Sequence, residues 1–185
     1  MAKRTSKTSK KPPARARTRG VTRAELAAVQ MLVFDFDGVM TDNRVLVMQD
    51  GTEGVLCNRS DGMGIGMMRD AGVPMMVISK EENPVVAARC RKLKLECMQG
   101  VDDKLPALLG VLEQRGFAPE RVAYMGNDIN DLPCMMRVGL PIAVADAYPQ
   151  VLGVARWITT RAGGFGAVRE VCDRFLAARA QGDQA

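Results

Sequence analysis

Met31-Leu32-Val33-Phe34-Asp35-Phe36-Asp37-Gly38 decides the fold of this chain. Its first four residues form a short apolar run that reads as a buried strand. The run ends on two carboxylates one residue apart. Like charges so close raise each other's pKa. A divalent cation between them removes that cost. Hard cations such as Mg²⁺ take oxygen ligands and keep positions open for a phosphate. One carboxylate can then also serve as a nucleophile. Taken alone, the stretch is equally well an ordinary polar turn, because Asp and Gly are common there. The rest of the chain separates the two readings.

Working outward, strands and helices alternate. Thr22, with Glu25 three residues on, caps a helix to about Gln30. Val45–Met48 and Gly54–Cys57 flank the turn dipeptide Asp50-Gly51 and predict a hairpin. Asp61 opens a helix through Met67 and Met68, and Pro74–Ile78 is a strand stopping at Ser79. Asn83 caps a helix that begins at Pro84 and runs to about Leu93. Asp102 or Asp103 caps the next, which reaches Arg115. A strand over Arg121–Met125 ends at Gly126-Asn127-Asp128, and short strands follow at Ile142–Val144 and Trp157–Thr159. A last helix starts near Phe165. The expected fold class is α/β: a mainly parallel central sheet with helices on both faces.

Composition bounds the chemistry. The chain has 185 residues, 47% hydrophobic, enough for one domain with a sizeable core. Residues 1–20 carry eight Lys or Arg and no acid, so the net charge of +5 conceals a body of −3. That segment reads as a disordered basic tail, residues 21–180 as the folded domain, and 181–185 as a short C-terminal tail. No aromatic residue is interleaved with the basic ones, which disfavours a nucleic-acid partner. No apolar run approaches the roughly 20 residues of a membrane helix. Five widely spaced cysteines without a secretory signal predict reduced thiols and a cytoplasmic location. The chain has no histidine, which excludes Ser-His-Asp chemistry and most zinc sites.

Ligands of parallel α/β sheets bind beyond the carboxyl ends of the strands. There the strands present Asp35 and Asp37, Ser79, and Asn127 with Asp128, and Lys104 begins the following helix. Asp35 suits a nucleophile and Asp37 its acid–base partner. Ser79 can donate to a phosphoryl oxygen and Lys104 can neutralise it. Asp128 completes a metal site, supported by Asp131 one turn on. Phosphoryl transfer needs mainly positioning and charge neutralisation, and this set supplies both. Any one of these residues alone is a common turn, cap or surface residue; all of them in this order are not.

In these residues the chain resembles the haloacid dehalogenase-like phosphatases. The match comprises Asp35-Phe36-Asp37-Gly38, Ser79, Lys104 and Gly126-Asn127-Asp128-Ile129-Asn130-Asp131. The resemblance implies a Rossmann-like fold, an aspartyl-phosphate on Asp35, and Mg²⁺ held by Asp35, the Asp37 main-chain carbonyl and Asp128. Asn127 departs from the pattern, since many members carry Asp there.

Further stretches, Arg59-Ser60-Asp61-Gly62-Met63-Gly64, Gln99-Gly100-Val101-Asp102-Asp103-Lys104 and Gly163-Gly164-Phe165-Gly166, resemble the sialic-acid and Kdo phosphate phosphatases. The same domain forms the C-terminal half of some CMP-sialate synthetases. The Arg-Ser-Asp-Gly form is nearer to the nonulosonate 9-phosphate members than to the Kdo 8-phosphate ones. Their sugar-contacting positions match Glu81, Arg89 and Lys92. Lys80 would overlook the same site, and Arg59 could meet a carboxylate bidentately.

The 42 positions from Asp37 to Ser79 and the 25 from Ser79 to Lys104 hold no separate cap domain. The resembling enzymes close their sites by forming tetramers, one subunit's hairpin covering another's site. Such a chain is therefore expected to be a homotetramer acting on a small sugar phosphate. The competing expectation is a non-catalytic oligomerisation or regulatory module linked to CMP-sialic acid synthesis.

Overall fold

The computed structural model describes residues 20–180. The expectations for the basic tail and for residues 181–185 lie outside the described residues, except for Gly20. The chain folds as α1 (Arg23–Ala28), β1 (Met31–Phe34), a hairpin of β2 (Thr41–Val47) and β3 (Glu53–Cys57), α2 (Arg59–Asp70), β4 (Met75–Ile78), α3 (Val85–Leu93) and β5 (Glu96–Met98). There follow α4 (Lys104–Arg115), β6 (Val122–Gly126), α5 (Leu132–Arg137), β7 (Leu140–Ala143), α6 (Pro149–Val154), β8 (Trp157–Ile158) and α7 (Ala167–Ala180).

Six strands form one parallel sheet in the order β5-β4-β1-β6-β7-β8. From β1 the chain builds outward through β4 and β5, then crosses back to add β6 on the other side. The order thus reverses between β1 and β6, where such sheets open a ligand crevice. Helices α1 and α2 pack on α7, and α4 and α6 pack on α5, so both faces of the sheet are covered. Every residue of β1, β4, β6 and β7 is buried, as a two-sided parallel sheet requires. Among the described residues no helix is long and apolar enough to cross a membrane.

The hairpin stands apart as its own two-stranded sheet, turning at Asp50-Gly51 with Gly51 at φ 84°. Its register shifts between Thr41 and Val45. Several element boundaries differ from the sequence expectations, each for a local reason. Helix α1 stops at Ala28 because Val29 turns extended and buries, and Gln30 N–H donates to Arg121 O at 2.7 Å. Asn58, not Asp61, caps α2, its side chain accepting from Ser60 N–H. Helix α3 starts one residue later than expected, with Pro84 in the cap position and Asn83 Oδ1 accepting from Val85 N–H at 3.1 Å. Strand β7 starts at Leu140, two residues early. Helix α7 begins at Ala167, because Gly164 and Gly166 both take positive φ and cannot be helical.

Candidate active site

The site sits where β1 and β6 end. Gly38 takes φ 76°, and a Cβ there would lie 2.0 Å from Asn127 Nδ2, so glycine lets the β1 loop fold down against the β6 loop. Gly163, in the loop before α7, packs as tightly: a Cβ there would lie 1.8 Å from Gly38 O. Asp146 accepts from Gly163 N–H at 2.9 Å and holds that loop in place.

Lys104 is the hub. It is 2% exposed and stands behind Asp35, with its Nζ 2.7 Å from Asp35 Oδ1 and 2.8 Å from Asp131 Oδ1. Asp131 is fully buried and fully used. It also accepts from Tyr124 Oη at 2.9 Å, Asn127 N–H at 2.9 Å and Asp128 N–H at 3.3 Å. Asp131 therefore ties the β6 loop to Lys104 and does not itself line the cleft. Tyr124 was missed from sequence. Its signal was a hydroxyl inside the apolar run of β6, because a buried tyrosine oxygen needs a partner.

Burial, and then the charge of Asp131, push Asp35 up to about 8, against the opposing pull of Lys104. Burial pulls Lys104 down, but Asp35 and Asp131 outweigh it and raise it overall. Asp37 is raised by burial and then by the charge of Glu81, while Thr41 Oγ1 donates to its carboxylate at 3.4 Å. A carboxyl whose affinity for a proton is raised in this way suits a general acid. Ser79 Oγ accepts from Glu81 N–H at 3.1 Å, which leaves its hydroxyl proton free to donate.

A cleft of about 700 Å³ opens over these groups, lined by Asp35, Asp37, Ser79, Asn127 and Asp128. Lys80 and Glu81 form part of its rim, with Lys80 Nζ 3.3 Å from Asp102 Oδ1. Arg59, Arg89 and Lys92 are not among the residues lining it. Arg59 and Lys92 are exposed elsewhere, and Arg89 donates to Asn58 O at 3.1 Å. Arg89 and Lys92 lie on α3, eight and eleven positions beyond Glu81, and Arg89 is committed to the start of α2 through Asn58.

Among the described residues no three acidic, histidine or cysteine side chains converge as a ready metal cluster. The oxygens present nevertheless fit a hard cation. Asp35 and Asp37 face the cleft, Asp128 adjoins them, and Asn127 Oδ1 is a buried oxygen with no hydrogen-bond donor. Such an orphaned acceptor calls for a ligand. Asn127 thus offers an amide oxygen where a carboxylate would otherwise stand.

Comparison with known proteins agrees with this geometry. Residues 79–170 match the family model described as haloacid dehalogenase-like hydrolase. The 3-deoxy-D-manno-octulosonate 8-phosphate phosphatase of Salmonella typhi is 39% identical over 169 residues, covering 91% of this chain and 89% of that one. The chain belongs to the haloacid dehalogenase-like hydrolases. It is an enzyme of the phosphomonoesterase kind. A structure from Streptomyces avermitilis, described at the level of a HAD family hydrolase, is 51% identical with a TM-score of 0.79, covering 80% of this chain and 86% of that one. The Moraxella catarrhalis 3-deoxy-D-manno-octulosonate 8-phosphate phosphatase, solved with magnesium, phosphate and Kdo, is 31% identical. Its TM-score is 0.83, with coverage of 88% of this chain and 94% of that one.

Proposed function

We propose that this enzyme hydrolyses the phosphate ester of an acidic eight- or nine-carbon sugar, with Asp35 as nucleophile and Mg²⁺ as its cation. The observation that carries the reading is buried Lys104 bridging Asp35 and Asp131 beneath an open, acid-rimmed cleft. Asp35 attacks phosphorus, the bond to the sugar oxygen breaks, and Asp37 gives its proton to the leaving alcohol. Asp37 then takes a proton from the water that splits the aspartyl-phosphate. Ser79 donates to a phosphoryl oxygen, and Lys104 balances the charge gathering around Asp35. Asp35, the Asp37 main-chain carbonyl and Asp128 would hold the cation, with Asn127 Oδ1 as a neutral oxygen beside them. When bound, the cation neutralises the phosphate and lets Asp35 stay ionised despite its burial.

Among acidic sugars we place a nonulosonate 9-phosphate first and Kdo 8-phosphate second. Arg59-Ser60-Asp61-Gly62 and Glu81 support the first, and the 39% identical phosphatase supports the second. The deciding measurement is kcat/KM on both compounds with Mg²⁺ present. A preference for Kdo 8-phosphate of about tenfold or more, some 1.4 kcal/mol in transition-state binding, would reverse the order. No Mg²⁺-dependent turnover of any phosphate monoester would leave the non-catalytic module as the answer.

The proposed assembly is a homotetramer. Val45, Leu46, Val47, Met48 and Leu56 on the hairpin are 51% to 73% exposed, and because side chains alternate along a strand they put apolar groups on both faces of the ribbon, as an interface element would. Arg59, Arg89 and Lys92 do not line the cleft, so a contact from a neighbouring subunit is one way for them to reach a sugar. Sedimentation of a fully active monomer near 20 kDa would refute this assembly.

A further inference from the structure

Asn83 joins two parts of the molecule that are far apart in sequence. Its Nδ2 donates to Glu53 Oε2 on β3 at 3.1 Å. Its Oδ1 accepts from Val85 N–H at 3.1 Å, which settles which end of the amide is the nitrogen. Its own main-chain N–H donates to Glu81 Oε1 at 2.7 Å. Glu81 lines the cleft that holds Asp37. One residue therefore grips a carboxylate on the hairpin and a carboxylate in the cleft.

Besides Val55 and Cys57, which pack on the core, the hairpin has few other ties to the body. Among the described residues, the other hydrogen bonds of residues 44–56 stay within the hairpin: Arg44 to Asp42, Thr52 to Asp50, and the turn between Met48 and Thr52. A two-stranded ribbon is marginal in water by itself. Its pose is therefore set by its base at Thr41 and Cys57, by Val55 against the core, and toward its tip by the Glu53–Asn83 contact.

We propose that Asn83 is a positioning residue for substrate choice, latching the hairpin to the loop that carries Glu81. This rests on the reading of the cleft as a sugar-acid phosphate site. The phosphoryl group is served by Asp35, Ser79 and Lys104, none of which Asn83 touches. The latch acts instead on the polyhydroxylated acid portion of the substrate. That portion must extend past the phosphate toward the rim, where Glu81 stands and the hairpin is tethered.

Asn83→Asp isolates the latch. It keeps the acceptor for Val85 N–H and the main-chain donor to Glu81, so the start of α3 is preserved. It replaces the donor to Glu53 with a carboxylate facing a carboxylate. Glu53→Gln in the same chain restores a donor. Two readouts are taken on wild type, the single variant and the double variant: hydrogen–deuterium exchange over residues 44–56, and the ratio of kcat/KM for a sugar-acid phosphate to that for p-nitrophenyl phosphate.

The single variant should speed exchange in the hairpin and lower the ratio about five- to tenfold, through KM, as loss of one hydrogen bond with added repulsion implies. The double variant should recover most of both. Unchanged exchange overturns the latch whatever the substrate. Faster exchange with an unaltered ratio, or no recovery in the double variant, overturns its link to recognition. If the wild type turns over no sugar-acid phosphate, the functional reading falls instead, and exchange alone decides the latch.

Discussion

Lys104 Nζ meets Asp35 Oδ1 at 2.7 Å, and both side chains are almost closed to solvent. Asp35 is thus open to the cleft on one side and met by a fixed cation from inside the protein on the other. Asp131 makes that cation stay, and Tyr124 and two main-chain N–H groups make Asp131 stay.

Removing Lys104 should therefore damage both folding and chemistry. Lys104→Met leaves Asp35 and Asp131 buried without their shared cation, at a cost of about 3–5 kcal/mol. Turnover should fall at least about a hundredfold. Tyr124→Phe removes one hydrogen bond to Asp131 and should cost about 1–2 kcal/mol with a smaller loss of turnover. Thermal melts and steady-state kinetics on both variants would check the ranking; equal effects would show that the two groups do not act in series.

Asp35→Asn should abolish phosphate release, because an amide is a poor nucleophile. It should also raise the melting temperature of the metal-free protein at pH 7. The sign follows from the raised pKa. Burial lifts Asp35 to about 8, so its ionised form opposes folding, and a neutral amide escapes that penalty. Added Mg²⁺ should raise the melting temperature of wild type and have little effect on the variant. A variant that retains a tenth of wild-type turnover would remove Asp35 from its role.

Asp61 offers a pH test away from the chemistry. It accepts from Arg169 N–H at 2.8 Å near the start of α7, while its other oxygen is buried without a partner. Burial raises it to about 6. A carboxylate raised above its unfolded value destabilises the fold when ionised. The penalty grows as pH rises from about 4 to 6 and is constant above that. Asp61→Asn keeps an acceptor for Arg169 and removes the charge. The variant should gain on wild type through this window and stand about 1–3 kcal/mol ahead at pH 7. A stability difference that does not change with pH would contradict the assignment.

Gly163→Ala should reach the active site without touching a catalytic group. Its Cβ would lie 1.8 Å from Gly38 O, so one backbone must move. Movement of the Gly38 side would shift Asp37, which lines the cleft, and a displacement near 1 Å can cost about a hundredfold in rate. Circular dichroism should show the fold retained while kcat/KM drops at least tenfold. Unchanged kinetics would mean that the loop before α7 yields instead.

The sequence by itself determined the alternating architecture and the residues at the strand ends. Both are written in local signals. Short apolar runs that stop at Asp35, Ser79 and Gly126-Asn127, alternating with helical patterns, read as buried strands delivering polar groups to one edge. The capping box of Thr22 and Glu25 and the turn at Asp50-Gly51 formed where they were read. Boundaries slipped where a neighbour in space intervened, as when Arg121 captured Gln30 or two positive-φ glycines delayed α7.

What only the tertiary structure decided is which of those groups touch. Asp131 lies three residues after Asp128 in sequence, yet it serves Lys104 and Tyr124 from behind the cleft. Arg89 and Lys92 follow Glu81 closely, yet neither lines the cleft that Glu81 lines, and Arg89 binds Asn58 O instead. Glu53 and Asn83 are 30 positions apart and share a hydrogen bond. Periodicity and capping chemistry act over a few residues and can be read along the chain. Burial, pKa and hydrogen bonding between distant side chains depend on how strands and helices pack, and no spacing in the sequence encodes them.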